Sequence, residues 1–572
     1  MCAATFCAEL SSEQRTKTPT IAIGTIRGLK GARFDLVPPF GDPMNKRQLE
    51  FDAIVEFWTW LANKPFLAAG VLALLTVACA WCVALVVGLP EPQVHDELTQ
   101  VAMADIFAHG RLCEPSSQFW RHFEAIHVLS QPCYQGKYPP GPALFMAIGD
   151  LLFGQPIAGV WIADVLMVAT AAYAMYAWLP PFWALLGATL IALRFGVVGH
   201  WAQAYWGGAV AAAGGALVIG GVRWLLRMPS ARHGTATGVG IVLLALSRPY
   251  EGVVLLIAVA ALQWKPASRA LRSREFLRSA FVVLAIVSAG LAWMGYYNYR
   301  VTGSSLTLPY SLYERTHSAL PLFIWEPFRP EQPPLHHADM QQFEKEMGIG
   351  LEDMRRRFPL GRVEDLVKLW WGFVTPVSGL ALVGLLWTPR QQLPSVKAAS
   401  LIALAIFASN FLSSWTASRY VAPATVAVFM LSVIGFAALN DRFVGSKSGL
   451  VLLLILGTAA ASTTVGAVRY FHQQQGETTW WQSKRAIRSQ LLARPGGDLV
   501  FVRYGPRHNP HNSWVYNGAN LGAQPIIWAR EIDPSSDLEL RSHYGERQAW
   551  IVLADDRPAR LIPWTASARL DQ

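Results

Sequence analysis

Charged residues are scarce in this sequence. Asp, Glu, Lys and Arg together make up only 15% of the 572 residues, whereas 53% are hydrophobic and the mean hydropathy is +0.29. So little charge excludes an ordinary soluble protein of two or three domains. Several apolar runs also reach the roughly 20 residues that a helix needs to cross a bilayer. The sequence therefore predicts an α-helical polytopic membrane protein with about eleven crossings.

The motifs of several common site classes are missing as well. The sequence has one C-x-x-C, Cys79 to Cys82, but it lies within the first apolar run and forms no metal cluster with further cysteines. The sequence also has no glycine-rich phosphate-binding loop of the P-loop kind and no nucleophile elbow. His508 and His511 have a spacing that metal ligands use, but no third ligand accompanies them, so no metal and no cofactor are expected. The net charge of +10 lies in short loops between apolar runs, which the positive-inside rule explains without nucleic acid.

The basic loops predict a topology in the inner (plasma) membrane. Residues 1–64 are polar and broken by prolines and glycines, so we expect a poorly structured cytoplasmic arm. The positive-inside rule then predicts a transmembrane domain over residues 65–469, with outer loops at 90–141 and 298–365. Three neighbouring apolar runs follow the first outer loop, namely 142–153, 157–178 and 182–198. The loops on either side of them fit the predicted topology only if two of the three runs cross the membrane. Which run does not cross stays open.

The sequence changes in character after about residue 469. Hydropathy drops, and short apolar runs alternate with polar segments. This pattern predicts a small α/β domain over residues 470–572, on the extracytoplasmic side. The predicted strands are 498–505, 525–531 and 549–556, and the predicted helices are 482–493 and 535–544.

The polar segment 90–141 contains the first candidate site. The acidic pair Asp96 and Glu97 follows the first apolar run by about eight residues, which places a carboxylate at the membrane surface. Such a position suits chemistry on lipid-linked molecules, although a solvated acidic loop is the alternative. Cys113 and Cys133 lie in the same segment, and a disulfide between them in an oxidising compartment would brace the part that contains Asp96.

Two further polar elements interrupt the apolar pattern. Residues 247–252, SRPYEG, divide an apolar stretch into two arms of roughly a dozen residues, too short to cross, so the turn is expected below the outer surface. Arg248 and Glu251 would then be functional groups, or an internal pair that closes a helix hairpin. Arg419 and Tyr420 stand at the outer mouth of a helix, where the guanidinium suits a phosphate or serves as an interfacial anchor.

Three motifs, in this order and on the same predicted side, resemble a family. They are HDELTQVAMADIFAHGRL (95–112), KYPPGPALFMAIG (137–149) and SRYVAP (418–423). They are similar to motifs of GT-C fold glycosyltransferases, in the branch with protein mannosyltransferases, lipid A aminoarabinose transferases and lipopolysaccharide glycosyltransferases. The resemblance covers roughly residues 66–470. One departure is Tyr138, which stands directly before Pro139 where the aminoarabinose transferases have lysine.

The resemblance implies a sugar transfer with inversion from a polyprenyl-phosphate donor to a glycan, lipid or protein acceptor at the outer face. Asp96 would act as general base on the acceptor hydroxyl, assisted by Glu97. Cationic groups would stabilise the leaving phosphate. The phosphate-binding candidates are Arg419, Arg248 and Lys137, and the substrate-binding candidates are His95, Glu251 and Tyr420.

Two other functions remain open on the sequence. A secondary transporter also uses broken membrane helices and buried Arg–Glu pairs, although no internal two-fold repetition of hydropathy is present. A non-catalytic envelope assembly protein would use the outer domain to bind partners. The acidic pair distinguishes these functions, because only the transferase requires Asp96.

Overall fold

The computed structural model of the protein describes residues 46–199, 201–329, 335–444, 448–475 and 479–565. The described residues from Glu50 onward belong to one compact unit. The α-helices are α1 (Lys46–Ala62), α2 (Pro65–Val87), α3 (His95–Ala108), α4 (Gly141–Phe153), α5 (Pro156–Trp178), α6 (Pro181–Phe195), α7 (Gly208–Arg227), α8 (Ala231–Ser247), α9 (Pro249–Ala270), α10 (Arg274–Thr302), α11 (Pro309–His317), α12 (Ala338–Arg356), α13 (Leu360–Phe373), α14 (Pro376–Leu380), α15 (Leu393–Leu412), α16 (Thr425–Leu439), α17 (Ser448–Gln475), α18 (Trp480–Leu492) and α19 (Pro534–His543). The strands are β1 (Glu114–Pro115), β2 (Val128–Leu129), β3 (Cys133–Gly136), β4 (Asp498–Arg503), β5 (Ile526–Arg530), β6 (Gln548–Leu553) and β7 (Arg560–Pro563).

The chain is a polytopic helical membrane protein. Among the described residues eight helices are long and apolar enough to cross a bilayer, namely α2, α5, α7, α9, α10, α15, α16 and α17. A ninth candidate consists of α13 and residues 377–387, which are bent by 109°. About eleven crossings were predicted, and fewer helices than that meet the length and hydropathy criteria for a membrane span among the described residues. Two of the apolar helices, α4 and α6, have only 13 and 15 residues. Of the three neighbouring runs, α5 alone is long enough.

Small residues allow the central helices to pack closely. The apolar window of α16 is 94% buried in protein and that of α7 is 78% buried, whereas that of α10 is only 6% buried. A Cβ atom added at Gly215 of α7 would lie 2.2 Å from the carbonyl oxygen of Pro423, just before α16. Only glycine permits this approach. The contact seats the segment that contains Arg419 against the centre of the bundle.

The break at Arg248 differs from the predicted hairpin. We expected two short arms, but α8 has 17 residues and α9 has 22, because both helices continue through polar residues beyond the apolar arms. A helix of 22 residues is about 33 Å long, enough to cross the bilayer core without its neighbour. Arg248 therefore lies at one end of a full-length helix, not at a turn within the membrane.

The N-terminal arm is partly helical, contrary to the prediction of a poorly structured segment. Residues 46–62 form α1, since this stretch contains neither proline nor glycine. The Trp58 indole donates a hydrogen bond to the carbonyl of Phe182 at 3.2 Å, and the Tyr176 hydroxyl donates one to the carbonyl of Ala62 at 2.8 Å. Residues 1–45 of the predicted arm lie outside the described residues.

The C-terminal region contains a four-stranded sheet with the order β5-β4-β6-β7. Strands β4, β5 and β6 are parallel to one another and correspond to the three predicted strands, while β7 pairs antiparallel with β6 and was not predicted. Helices α18 and α19 correspond to the two predicted helices. The strand β7 was missed because its four residues, RLIP, include an arginine and a proline.

The C-terminal sheet packs on the segment that follows α3. Arg530 of β5 is buried and forms two hydrogen bonds with Asp339 of α12, at 2.7 and 2.9 Å, and its Nε donates to the carbonyl of Glu124 at 2.6 Å. The Tyr516 hydroxyl donates to the carbonyl of Ile126 at 2.7 Å. These contacts join the sheet to both polar segments between membrane helices.

A small sheet and a disulfide shape the segment after α3. Strand β3 lies between β1 and β2, and both pairs are antiparallel. Cys113 and Cys133 form a disulfide with their Cα atoms 6.1 Å apart. Cys133 also lies opposite Pro115 in the antiparallel pairing of β3 with β1. The disulfide thus closes the segment between α3 and β3, which leads directly to Lys137 and Tyr138.

Candidate active site

Asp96 lies in the first turn of α3, at the end of the bundle that contacts the C-terminal sheet. The unpaired N–H groups and the macrodipole of a helix N-terminus favour a carboxylate there. The Tyr138 hydroxyl donates a hydrogen bond to Asp96 Oδ1. Arg419 Nη2 lies 3.5 Å from the same oxygen, and His95 Nδ1 lies 3.2 Å from Oδ2. The Asp96 carboxylate therefore contacts its neighbour His95 and groups from two distant parts of the chain.

These neighbours keep Asp96 ionised. Burial alone would raise the pKa of Asp96, but the neighbouring side chains of His95 and His127, followed by the positive charge of Arg419, hold that pKa well below its ordinary value. The side chains of Asp96 and Arg419 are 16% and 19% exposed, so water screens this pair only weakly. The carboxylate is therefore an anion at neutral pH.

Two glycines bring the neighbouring elements close to Asp96. A Cβ at Gly136, at the end of β3, would lie 2.5 Å from Met103 Sδ and 2.6 Å from Thr99 Cγ2, both on α3. A Cβ at Gly141, at the start of α4, would lie 2.7 Å from the carbonyl oxygen of Leu246 on α8. Any larger residue would push these segments apart. Tyr138 lies between the two glycines and thereby reaches Asp96.

Asp96 lines a cavity of about 570 Å³. Eight catalytic, phosphate-binding and substrate-binding side chains were predicted, and seven of them, Asp96 included, line this cavity: His95, Asp96, Lys137, Arg248, Glu251, Arg419 and Tyr420. Its walls also contain aromatic and acidic side chains that the sequence did not single out, among them His127, Trp206, Tyr310, Glu314 and Glu344. The cavity is large enough for a sugar phosphate and part of its lipid.

Aromatic rings hold the two arginines of the cavity. The Arg419 guanidinium lies 4.0 Å from the centre of the Trp206 ring and 5.1 Å from that of Tyr420, while the Arg248 guanidinium lies 4.2 Å from the Tyr420 ring. Tyr420 therefore contacts both guanidiniums. Such contacts position the two cations and leave N–H donors for an anionic ligand. Arg248 and Glu251 form no ion pair in the described part of the chain, so the predicted internal pair is absent.

Lys137 differs from the arginines because it already has a carboxylate partner. Its Nζ lies 2.9 Å from Glu314 Oε1, and both side chains are buried. The ammonium also lies 4.4 Å from the centre of the Tyr313 ring. A lysine that is neutralised in this way contributes less positive charge to a phosphate than Arg248 or Arg419.

Glu97 lies away from the cavity that Asp96 lines. Its carboxylate accepts hydrogen bonds from the backbone N–H of Gln93 at 2.6 Å and of Tyr205 at 3.0 Å. Burial raises the pKa of Glu97 to about 7, against the effect of these hydrogen bonds. Glu97 therefore positions the start of α3, since successive residues of a helix point about 100° apart.

Three side chains are arranged closely enough to hold a metal ion. One ligand atom each from His95, Asp96 and His127 lies within 4.8 Å of the others. Burial, together with the charge of Lys137, lowers the pKa of His127 well below its ordinary value, so its ring is neutral and able to ligate. The Arg419 guanidinium already neutralises the Asp96 carboxylate. A cation bound to the three side chains would therefore compete with Arg419 for Asp96.

The C-terminal region supplies one residue of the cavity. His511 lines it, and its Nδ1 lies 3.0 Å from His95 Nε2. His508 faces elsewhere, with its Nδ1 2.7 Å from Asp555 Oδ1, so the two histidines do not share a ligand position. Sequence reasoning missed His127 and the role of Tyr138. The one sequence signal for the role of Tyr138 was its position directly beside Lys137, inside the motif 137–149.

Comparisons with known proteins found similar solved structures, each at low sequence identity. No family model and no curated protein sequence matches it. Similar solved structures include the Archaeoglobus fulgidus oligosaccharyltransferase with a tethered acceptor peptide (10% identity, TM-score 0.47, 85% of this chain and 69% of that chain), and ArnT from Cupriavidus metallidurans in the apo state (14% identity, TM-score 0.48, 87% of this chain and 99% of that chain). A third is the Archaeoglobus fulgidus oligosaccharyltransferase AglB with an inhibitory peptide and a dolichol-phosphate (11% identity, TM-score 0.41, 85% and 69%). These are GT-C fold proteins, the group that the sequence motifs resemble. Identities this low leave the activity to be inferred from the site geometry.

Proposed function

We propose that the protein is an integral-membrane glycosyltransferase that moves a sugar from a polyprenyl-phosphate carrier to an acceptor hydroxyl with inversion. One observation carries this proposal. The ionised Asp96 lies in the same cavity as Arg248 and Arg419, two cations held by aromatic rings. A base for the acceptor and an anion-binding pair for the leaving group are the two elements that this reaction needs.

The reaction follows from these positions. The acceptor oxygen attacks the anomeric carbon, the bond from that carbon to the phosphate oxygen breaks, and the hydroxyl proton passes to Asp96 Oδ2 or Oδ1. The leaving polyprenyl phosphate keeps the bonding electron pair, and the guanidiniums of Arg419 and Arg248 stabilise its charge. Attack from the face opposite the phosphate inverts the anomeric configuration.

The neighbours of Asp96 couple donor binding to base strength. Arg419 is one of the groups, after His95 and His127, that keep the pKa of Asp96 low, and a base this weak is poorly matched to neutral pH. A donor phosphate that binds Arg419 compensates the guanidinium charge. The pKa of Asp96 then rises toward the working pH, so the carboxylate becomes a better base once the donor is bound.

The reaction as proposed uses no metal and no cofactor, because Arg419 already supplies positive charge beside Asp96. Activity is therefore expected to survive treatment with a chelator. Loss of activity with a chelator and recovery with a divalent cation would assign His95, Asp96 and His127 to a metal site instead. The expected location is the inner (plasma) membrane, with the cavity and the C-terminal sheet on the extracytoplasmic side.

Replacement of Asp96 by asparagine tests the proposal. The amide keeps the shape of the carboxylate and accepts the Tyr138 hydrogen bond, but it cannot take a proton, so transfer from a polyprenyl-phosphate donor should fall by about 10²–10⁴-fold. Asp556→Asn is the matched control, because Asp556 pairs with Arg560 on the exposed C-terminal region. Transfer by Asp96→Asn equal to that by Asp556→Asn would exclude Asp96 as the base. Absence of transfer by the wild type itself would favour a transporter or an assembly protein.

A further inference from the structure

A second cavity lies between α6, α16 and α17, and we call it the lateral groove. Its volume is about 340 Å³. Arg194, Arg469 and Gln473 line one part of it, and Leu190, Phe429 and Ala459 line another. Arg469 and Ala459 are ten residues apart on α17, so the groove extends about 15 Å along this helix from its charged part to its apolar part.

The groove faces away from the centre of the bundle. Only 17% of the apolar window of α17 is buried in protein, so most of this helix surface faces outward. Trp206 and Val94 line both the lateral groove and the cavity of Asp96, so the two cavities share a wall. A molecule in the groove would contact the surrounding bilayer on one side and lie behind Trp206 on the other.

The positive charge of the groove is not neutralised by the protein. Arg194 is anchored by hydrogen bonds to the carbonyls of Gly372 and Phe373, and neither Arg194 nor Arg469 forms an ion pair within the described ranges. Glu97 also lines the groove, but its carboxylate is engaged by two backbone N–H groups. Two guanidiniums beside an apolar wall fit a phosphate that is attached to hydrocarbon.

We propose that the lateral groove binds an anionic phospholipid of the surrounding membrane. The phosphate contacts Arg194 and Arg469, and an acyl chain lies along Leu190, Phe429 and Ala459. Both arginines lie near the C-terminal ends of their helices, α6 and α17, at the end of the bundle where α3 begins and where a head group would lie. This site is separate from the proposed reaction, because its occupant does not touch Asp96.

Glycines on α17 allow the groove to be filled without disturbing the fold. A Cβ at Gly466 or at Gly457 would meet no atom within 4 Å, so both positions have open space around them. Gly466 lines the groove and Gly457 does not. Gly466→Phe should therefore occupy space within the groove, and Gly457→Phe is its matched control on the same helix.

The experiment measures lipid retention by the full-length protein. The protein is reconstituted from phosphatidylcholine vesicles that contain phosphatidylglycerol, extracted in mild detergent, and its bound lipids are counted by native mass spectrometry. The wild type should retain phosphatidylglycerol, and the Arg194→Gln, Arg469→Gln double variant should retain about tenfold less or lower. Arg442→Gln, an exposed arginine at the other end of α16, should retain as much as the wild type.

The same measurement distinguishes the possible failures. Gly466→Phe should lose the lipid and Gly457→Phe should keep it. Unchanged retention in the arginine double variant, equal loss in the two glycine variants, or displacement of the lipid by inorganic phosphate at low concentration would each overturn the proposal. None of these measurements requires sugar transfer, so they stand whether or not the proposed reaction is correct.

Discussion

Removal of the two guanidiniums that contact Tyr420 tests whether they hold one phosphate. A charge-assisted hydrogen bond contributes about 1.5–3 kcal/mol, so Arg248→Gln should lower kcat/KM for the donor by roughly 10–150-fold. Because the contact to phosphate is already present in the ground state, much of this loss should appear as a higher KM. Arg248 forms no ion pair in the described residues, so its replacement leaves no carboxylate unpaired.

Arg419→Gln should cost more than Arg248→Gln. Arg419 also lies 3.5 Å from Asp96, where two unit charges attract by about 5 kcal/mol at an effective dielectric constant of 20, part of which desolvation cancels. Loss of this charge raises the pKa of Asp96 in the free enzyme and removes the coupling to donor binding. We therefore expect kcat to fall as well as KM to rise, with partial rescue by Arg419→Lys.

The assay is a double-mutant cycle on transfer of labelled sugar from a polyprenyl-phosphate donor. The protein is reconstituted in nanodiscs, and Arg442→Gln serves as the control outside the cavity. If both arginines hold the same phosphate, the double variant should lose less than the sum of the single losses, by 0.5 kcal/mol or more, on the order of the coupling typical of residues that share a partner. Strict additivity, or an Arg248→Gln variant as active as the wild type, would refute the shared site.

Three further predictions concern the scaffold. Thiol labelling of the oxidised protein should miss Cys113 and Cys133 and should detect both after reduction; labelling of either before reduction would contradict the disulfide. Reporter fusions near residues 230 and 510 should lie on opposite sides of the membrane, and a shared side would contradict the proposed topology. Burial lowers the pKa of Lys484 to about 7, whereas a lysine in the unfolded chain has a pKa of roughly 10.4. Between these two pH values the unfolded state therefore binds one more proton than the folded state. The free energy of unfolding should accordingly rise with pH over this range. In thermal unfolding from about pH 7 to 10, Lys484→Met should flatten this rise, and an unchanged slope would exclude Lys484 as its source.

Local sequence pattern predicted the elements well where one property decides the structure. The first apolar run and the run 157–178 correspond to α2 and α5, because burying a helix in a bilayer depends on the hydropathy of that segment alone. Short β-branched runs predicted the three parallel strands of the C-terminal sheet. The same reasoning failed at α8 and α9, since a helix continues through polar residues when neighbouring helices or solvent accommodate them.

The resemblance of three motifs brought together residues that the structure places in one cavity, and it gave the role of base to Asp96, but it also placed Glu97 in the reaction as an assisting group. Adjacent residues look equivalent in a sequence, whereas on a helix one faces the cavity and the other faces backbone N–H groups of Gln93 and Tyr205. The helical rotation of about 100° per residue makes this difference, and its direction is set by how α3 packs.

The full set of neighbours of Asp96 was decided only by the tertiary structure. Tyr138, Arg419 and, through His95, His511 come from positions 42 to 415 residues away along the chain. They meet because Gly136 and Gly215 let whole segments approach within contact distance, and that approach depends on the shapes of both partners. Hydropathy and charge are properties of single residues and determine which segments enter the membrane; the packing of those segments against one another determines the chemistry of the site.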